Sequence, residues 1–155
     1  MAVPFKAPVK DITFGYEVID SYNILNKISE FSDFSEDIVI PTMEECAKFS
    51  EEVLAPINAI GDQQGATIDN GVVKMPQEFV DAYQKFAEAG WASISLPEEI
   101  GGGGQPITLS GGTLEILSTA NLAFGLAPGL SAGAISAINF HGSQEQKDTF
   151  LPKLV

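Results

Sequence analysis

The spacing of apolar residues along the chain predicts a series of α-helices. In the first of them, apolar side chains recur at the three- and four-residue intervals of one helix face, at Phe14, Val18, Tyr22 and Leu25. Asp11 or Thr13 is expected to supply the N-cap, since an oxygen there accepts a hydrogen bond from a free backbone N–H. Before this helix, two prolines favour extended backbone over residues 1–10.

The second predicted helix has an apolar stripe and contains two prolines. Its apolar positions are Cys46, Phe49, Val53, Ile57 and Ile60. Pro41 is predicted to open this helix, because the N–H that proline lacks has no partner in a first turn. Pro56 lies inside the stripe and should kink or interrupt the helix. Gly61 and Gly65 are expected to end it.

The next segment combines a turn with a helix. Asp69-Asn70-Gly71 stands between apolar residues and predicts a tight turn, which is the single hairpin expected in the chain. Pro76 then starts a helix whose core face carries Phe79, Tyr83 and Phe86, and Gly90 supplies the residue that ends it.

Three further helices complete the pattern. One runs from Leu109 to about Ala123, one is opened by Pro128, and the last begins at Ser143 and Gln146, which have the spacing of a capping box. The sequence therefore predicts an all-α fold, a helical bundle of five or six helices with at most one short hairpin.

The amino-acid composition and net charge exclude several classes of function. Of 155 residues, 45% are hydrophobic and 19% are charged, as in an ordinary soluble domain. The net charge is −13, and the 8 basic residues are all lysines. This balance argues against nucleic acid and against a basic membrane-binding patch, because both need a cationic surface. A single cysteine excludes an internal disulfide, and with a single histidine it excludes a Cys/His zinc site.

The sequence shows no clear targeting or membrane segment. The first ten residues contain lysines without the apolar stretch of a secretory signal. The weakly polar stretch 122–140 contains a proline and many small residues, which give it little transmembrane character. We therefore expect a soluble, cytoplasmic protein with no membrane partner.

The run Gly101 to Gly104 suggests nucleotide binding, but its neighbours argue against that function. A Walker loop continues with Lys and Ser or Thr, whereas Gln105 and Pro106 follow here. A dinucleotide fingerprint needs a preceding strand and a third glycine at position 106. The run is therefore predicted to be a loop that uses the freedom of glycine at positive φ.

No group of side chains defines a catalytic site. Glu98 and Glu99 are adjacent in a loop, and neighbouring carboxylates seldom converge on one substrate atom. Glu115 lies in a helix, where it is either a buried network partner or exposed. His141 has no recognisable Ser or Cys partner. Trp91 either stacks on a ligand or, as we favour, anchors the preceding helix in the core.

Five groups of residues are distinctive when they are taken in order. They are the helical stretch 47–66, Gly90-Trp91, the loop from Leu96-Pro97-Glu98-Glu99 through the glycine run to Pro106, the set Glu115, Asn121 and Ala123, and the run from His141 to Pro152. In this order they resemble the N-terminal helical domain of the acyl-CoA dehydrogenase family. Residues 5–14 resemble the subfamily that carries an extra N-terminal segment.

The resemblance implies an FAD enzyme that oxidises an acyl-CoA thioester. In that family a glutamate base removes the α proton, the β hydride passes to flavin N5, and electrons go to an electron-transfer flavoprotein. It also implies a homo-oligomer when the enzyme is complete.

The resemblance also divides the chain. Residues 1–37 are an N-terminal extension with an extended segment and one helix, and residues 38–155 are the helical domain. In the family, the flavin-binding β-domain and the C-terminal bundle with the base follow this domain. We therefore assign no catalytic, cofactor-binding or metal-binding residue here.

One wall of the acyl-chain tunnel comes from this domain in the family, from the helix that starts near Pro128. By position, the resemblance implies Leu126, Gly129, Leu130 and Gly133 as substrate-binding residues. Simple helix–helix packing is the alternative explanation for their small size.

Two hypotheses about function stay open. The chain is either the N-terminal part of an acyl-CoA dehydrogenase, inactive by itself, or a free-standing helical interaction module derived from that domain. A Thr-Glu-Pro segment following in frame would favour the enzyme. The acyl chain length and a preference for a thioether are not specified by the sequence.

Overall fold

A computed structural model describes residues 4–155, and helices dominate it. The α-helices are α1 (Val9–Val18), α2 (Ser21–Leu25), α3 (Glu36–Phe49), α4 (Ala55–Gln64), α5 (Gln77–Glu88), α6 (Ile107–Ala120), α7 (Leu122–His141) and α8 (Gln144–Leu154). Strands β1 (Thr67–Asp69) and β2 (Val72–Lys74) form an antiparallel hairpin in which Asp69 pairs with Val72. The predicted all-α class with one short hairpin is confirmed, with more helices than the five or six expected.

Residues 4–35 contain two α-helices, α1 and α2, where the sequence predicted one. Asp20 adopts a left-handed backbone with φ of 55°, which ends α1, and its carboxylate accepts a hydrogen bond from Asn23 Nδ2 at 2.7 Å. The break changes the face that α1 buries. Tyr16 is in the core, whereas Phe14 and Val18, both predicted to face it, are 62% and 64% exposed.

Two helices begin earlier than their prolines suggested. The helix predicted to open at Pro41 starts at Glu36, so Pro41 lies inside α3. Pro128 likewise lies inside α7, which starts at Leu122. The start of α7 is fixed by Asn121, whose side-chain oxygen accepts a hydrogen bond from the backbone N–H of Phe124 at 3.0 Å. In α7 a capping side chain therefore decides the boundary, whereas Ser35 at the start of α3 makes no side-chain cap hydrogen bond. In both helices proline is tolerated a turn or more inside the boundary.

The long second helix is disturbed just before Pro56, as predicted, but it is not broken. Between α3 and α4 the chain passes through a π-helical turn at Ser50–Leu54, so that the two helices form one continuous rod. Pro56 has no N–H, and its ring would crowd the carbonyl of the residue four positions earlier. A wider turn just before the proline accommodates that ring. The rod ends at Gly65, where φ is 61°.

The core lies between this rod and α6. The largest fully buried apolar side chains are Met43, Leu54, Leu109, Ile116 and Ile135. Phe79 and Phe86 of α5 are also buried, which confirms two of the three positions predicted for that face, while Tyr83 is 44% exposed. Phe86 meets Phe124 of α7 edge to face at 5.6 Å between ring centroids, an arrangement that aromatic pairs prefer.

Helices α7 and α8 complete the bundle. The predicted capping box of α8 is present, since Ser143 N donates to Gln146 Oε1 at 2.9 Å and Gln146 N donates to Ser143 Oγ at 3.3 Å. By length and composition alone α7 could cross a membrane, a test that core helices of soluble proteins also pass. Here α7 packs against both α6 and α8.

The segment before α1 is attached to the helical rod through the carboxylate of one glutamate. Of the predicted extended residues 1–10, residues 1–3 lie outside the described part and residues 4–8 form no helix. Glu51, in the π-helical turn, accepts hydrogen bonds from Lys6 Nζ at 2.5 Å and from Ala7 N at 3.0 Å. These two hydrogen bonds lower the pKa of Glu51 below its usual range, the bond from Lys6 having the larger effect.

Glu51→Gln tests this attachment, because the amide keeps the shape of the side chain and removes its charge. We expect the free energy of unfolding to fall by about 1 kcal/mol at neutral pH. A carboxyl whose pKa is lowered by folding stabilises above its unfolded pKa, about 4.3 for Glu. The contribution is lost as the pH falls through the lower folded value, so the difference between wild type and variant should vanish in acid.

Urea denaturation at neutral and acidic pH measures both expectations. Glu52→Gln is the matched control, since Glu52 is the exposed neighbour in the same turn. Equal losses in the two variants would show that the attachment through Glu51 contributes nothing.

Candidate functional site

A groove of about 350 Å³ opens between α6, α7 and the loop that follows α5. Its loop wall consists of Trp91, Ala92, Ser95, Leu96 and Pro97. Its α6 wall consists of Ile107, Ser110, Thr113, Leu114 and Leu117. Its α7 wall consists of Phe124, Gly125, Pro128, Gly129, Ala132, Ile135, Ser136, Asn139 and Phe140, and Phe86 of α5 completes the lining. We refer to it as the α6–α7 groove.

The groove presents mainly hydrocarbon, although several lining residues carry hydroxyl groups. Ser95 Oγ donates to the Pro106 carbonyl at 2.9 Å, and Ser110 Oγ donates to the Ile107 carbonyl at 3.1 Å. Thr113 Oγ1 donates to the Ser110 carbonyl at 3.0 Å. These three hydroxyls are paired with carbonyls of the chain and impose no unmet hydrogen bond on an apolar occupant. Ser136 and Asn139 also line the groove, and their side chains make no hydrogen bond to the described residues. Such a lining suits an alkyl chain.

Small residues keep the α7 wall open. Gly125, Gly129, Ala132 and Ser136 recur at helical spacing and face α6 and the loop. A Cβ added at Gly129 would meet no atom of the described residues within 4 Å, whereas one at Gly125 would lie 3.2 Å from Ser118 Oγ. The free space of the groove therefore lies beside Gly129.

Trp91 anchors the preceding helix in the core, as favoured from the sequence, and stacking on a ligand stays a prediction. Its ring lies 6.4 Å from that of Phe49, so it anchors the end of α5 in the core, and it also lines the groove. The indole Nε1 is buried and has no hydrogen-bond partner in the described part of the chain. The ring carbons, rather than the N–H, are therefore what Trp91 offers to an occupant.

The structure brings one of the four predicted wall residues to the groove. Gly129 lines it, whereas Leu126 and Leu130 are 61% and 76% exposed on the outer side of α7. Gly133 is exposed as well, and an added Cβ there would meet no described atom within 4 Å. Helix–helix packing inside the described chain therefore does not account for either glycine.

The sequence analysis did not identify the residue that sets the angle between the two helical walls. Asn121 joins α6 to α7 in extended conformation and is 1% exposed. Its Nδ2 donates to the Leu54 carbonyl of the rod at 3.1 Å, while its Oδ1 caps α7. An Asn three positions before Phe124 has the spacing of an N-cap, and this was the available signal.

The glycine-rich loop is folded on itself. Gly101 and Gly104 have positive φ values of 97° and 61°, which confirms the predicted use of glycine. The amides of the loop donate to its own carbonyls: Gly102 to Pro97 at 3.0 Å, Gly103 to Ser93 at 2.9 Å, Gly104 to Leu96 at 2.9 Å and Gln105 to Ile94 at 3.0 Å. A phosphate-binding loop instead directs its N–H groups at the ligand, so this loop is a structural wall.

The titratable residues considered earlier do not converge. Glu98 and Glu99 are exposed in the loop, and Glu115 is exposed on α6, where it lines a second cleft against α1. His141 is exposed at the end of α7. Cys46 is buried in the core, and burial raises the pKa of its thiol to about 12. Among residues 4–155, no three His, Cys, Asp or Glu side chains lie together as metal ligands would.

FAD does not fit the described residues by themselves. A diphosphate is normally held by cationic side chains or by free N–H groups. The groove lining contains no lysine, and the nearby glycine amides are already paired. The groove fits a hydrocarbon chain rather than a dinucleotide.

Comparison with known proteins establishes the family. The family model for the acyl-CoA dehydrogenase N-terminal domain matches residues 41–155. The chain therefore belongs to the acyl-CoA dehydrogenase N-terminal domain family.

Curated relatives agree with this assignment. The chain is 37% identical to 3-methylmercaptopropionyl-CoA dehydrogenase of Ruegeria pomeroyi, over 97% of this chain and 26% of that protein. It is 27% identical to butyryl-CoA dehydrogenase of Syntrophomonas wolfei, over 94% of the chain and 24% of the relative. A broad-specificity linear acyl-CoA dehydrogenase of Mycobacterium tuberculosis is also 27% identical, over 92% and 24%. The chain thus spans about a quarter of the length of these relatives.

The resemblance stated from the motifs is confirmed. That resemblance was to the acyl-CoA dehydrogenases with an extra N-terminal segment, a group that includes 3-methylmercaptopropionyl-CoA dehydrogenase, and this enzyme is among the relatives found. The boundary placed between residues 37 and 38 stays a prediction.

Gly102→Ala should disturb the loop wall of the groove. A Cβ at this position would overlap the backbone carbonyl of Leu96, which cannot move aside as a side chain could. We expect a loss of about 1–3 kcal/mol in the free energy of unfolding, measured by urea denaturation. Gly111→Ala is the control, because a Cβ there meets nothing within 4 Å on an exposed face of α6. It should stabilise by about 0.5–1 kcal/mol. Unchanged stability of Gly102→Ala would contradict the tight loop.

Proposed function

We propose that this chain is the N-terminal part of a flavin-dependent acyl-CoA dehydrogenase and that the α6–α7 groove forms one wall of its acyl-chain site. In the complete enzyme, FAD would supply the redox chemistry for α,β-dehydrogenation of the thioester, and an electron-transfer flavoprotein would be the electron acceptor. We propose a homo-oligomer in the cytoplasm for that enzyme. The observation that carries the proposal is a hydrocarbon-lined groove in a domain of this family.

The energetics of the groove favour an alkyl chain over a polar ligand. Each methylene moved from water into such a lining contributes about 0.8 kcal/mol. The paired hydroxyls of Ser95, Ser110 and Thr113 impose no penalty on this transfer. Gly129 leaves the space that the chain would fill. The other predicted wall residues, Leu126, Leu130 and Gly133, lie on the outer side of α7. The proposal therefore rests on Gly129.

The names of the relatives suggest the class of substrate. One relative is named for a thioether acyl-CoA, one for butyryl-CoA and one for linear acyl-CoA in general. A polarizable thioether sulfur is as compatible as a methylene with an aromatic and aliphatic lining. We therefore propose a linear acyl-CoA thioester.

The purified chain should be colourless and catalytically inactive. Its described residues fit no FAD, and they bring no acid and base together at the groove. The measurement is the visible flavin absorbance of the purified protein, together with acyl-CoA oxidation using an artificial electron acceptor. If flavin is retained through purification and turnover exceeds the buffer control, the proposal that this chain by itself holds no FAD and is inactive is contradicted.

The groove itself can be tested in the same chain through its single tryptophan. Trp91 lines the groove, so occupation should change its fluorescence. We expect saturable binding of linear acyl-CoA thioesters, tighter by about fourfold for each added methylene, and no change with CoA alone. Gly129→Val should weaken the binding of longer chains by about 1–3 kcal/mol. Gly133→Val should leave it unchanged, because that position lies outside the groove.

The two variants Gly129→Val and Gly133→Val also distinguish the enzyme hypothesis from that of a free-standing interaction module. Equal effects of the two valine variants, or a response to CoA without any acyl chain, would remove the groove from the acyl site. A chain that binds no thioester would favour the free-standing interaction module.

A further inference from the structure

The hairpin between α4 and α5 carries the one Asn-Gly sequence of the chain at its tip. Asn70 and Gly71 are both exposed, with left-handed φ values of 49° and 79°. All residues of β1 and β2 are exposed as well, including Ile68 at 77% and Val73 at 63%. No other described element therefore covers this hairpin.

We propose that Asn70 is a self-modification site, at which the backbone amide of Gly71 converts the side-chain amide of Asn70 into an acid. Gly71 N loses its proton to hydroxide or water and attacks Asn70 Cγ. The Gly71 N–Cγ bond forms, the Cγ–Nδ2 bond breaks, and ammonia leaves, which closes a five-membered succinimide. Water then opens the ring at either carbonyl and gives aspartate or isoaspartate. The net change is one water consumed and one ammonia released, with no oxidant or reductant.

The tip leaves both reacting groups accessible. Gly71 has no side chain to shield its nitrogen, and no described atom beyond its two chain neighbours lies within 4 Å of the place a Cβ would occupy. The Asn70 amide makes no side-chain hydrogen bond to the described residues, so no partner holds it away from the backbone.

The reaction requires the turn to open, and the hairpin offers little resistance. Gly71 N reaches Cγ only when Asn70 leaves the left-handed turn. A two-stranded hairpin with both faces in water is marginal by itself, and segments with few buried contacts open at low free energy. The exposed Lys74–Asp69 ion pair adds little.

Other asparagines in the described chain lack this combination. Asn121 is 1% exposed, and both ends of its amide are hydrogen-bonded. Asn23 donates to Asp20. Asn58 is exposed but lies inside α4 and is followed by alanine. Asn26 and Asn139 are followed by Lys27 and Phe140, whose side chains shield the attacking nitrogen. We therefore expect the reaction to be confined to Asn70.

The product changes the hairpin. Isoaspartate inserts a methylene into the backbone, so a two-residue turn no longer matches the pairing of Asp69 with Val72. Either product also adds a negative charge next to Asp69. The modified tip should therefore stay open.

The experiment incubates the full chain in mildly alkaline buffer and follows every asparagine by peptide mass mapping. Isoaspartate is detected with an isoaspartyl-specific methyltransferase, and the succinimide is trapped with hydroxylamine, which cleaves the chain between Asn70 and Gly71. A synthetic peptide of residues 66–76 gives the rate without a fold. Asn70→Gly is the control variant, because glycine accepts the left-handed turn and removes the reacting amide.

We expect conversion at Asn70 at a rate within about a hundredfold of the peptide, which corresponds to an opening free energy of about 2.7 kcal/mol or less. Asn58 and Asn121 should stay unchanged, and Asn70→Gly should resist hydroxylamine. Conversion in the peptide without conversion in the folded chain would show that the turn protects the site and would overturn the proposal. Equally fast loss of amide at Asn58 would do so too.

Discussion

The architecture depends on one buried amide. Asn121 joins the helical rod, α6 and α7, because its Nδ2 binds the Leu54 carbonyl while its Oδ1 caps the first turn of α7. The same residue breaks the helix between α6 and α7 through its extended backbone. An amide can do this since it carries both a donor and an acceptor, and burial makes an unpaired partner costly. The two walls of the groove therefore diverge at an angle fixed by a single side chain, with Phe124 packed beneath it.

The features that could be predicted from the sequence are those that depend on short-range interactions along the chain. The capping box at Ser143 and Gln146, the Asn70-Gly71 turn and the disturbance at Pro56 each follow from a few neighbouring residues, and each is present. The buried face of α1 was predicted less well, because it depends on contacts from distant segments: Tyr16 is buried, whereas Phe14 and Val18 are exposed. In α7, Phe124 and Ile135 are buried, and Leu126 and Leu130 are exposed on another side of the helix. The assignment of Leu126, Gly129, Leu130 and Gly133 to an acyl-chain wall stays a prediction.

Helix α7 has more apolar surface than this chain covers. Its inner side packs on α6 and α8 and borders the groove, while Leu122, Leu126 and Leu130 are exposed on its outer side. A helix that is apolar on all sides is normally buried all round. The chain spans about a quarter of the length of its relatives, and the uncovered side is consistent with our proposal that this domain works as part of a larger enzyme.

The four consecutive glycines have a mechanical consequence. A run of glycine usually serves as a hinge, but here each amide from Gly101 to Gly104 is bonded to a carbonyl of the same loop. Amides held in this way should exchange with solvent deuterium slowly. We therefore expect the loop to form a rigid wall of the groove. The width of the groove on that side is then set in advance, so the alkyl chain that we propose as its occupant would cost little conformational entropy in the protein.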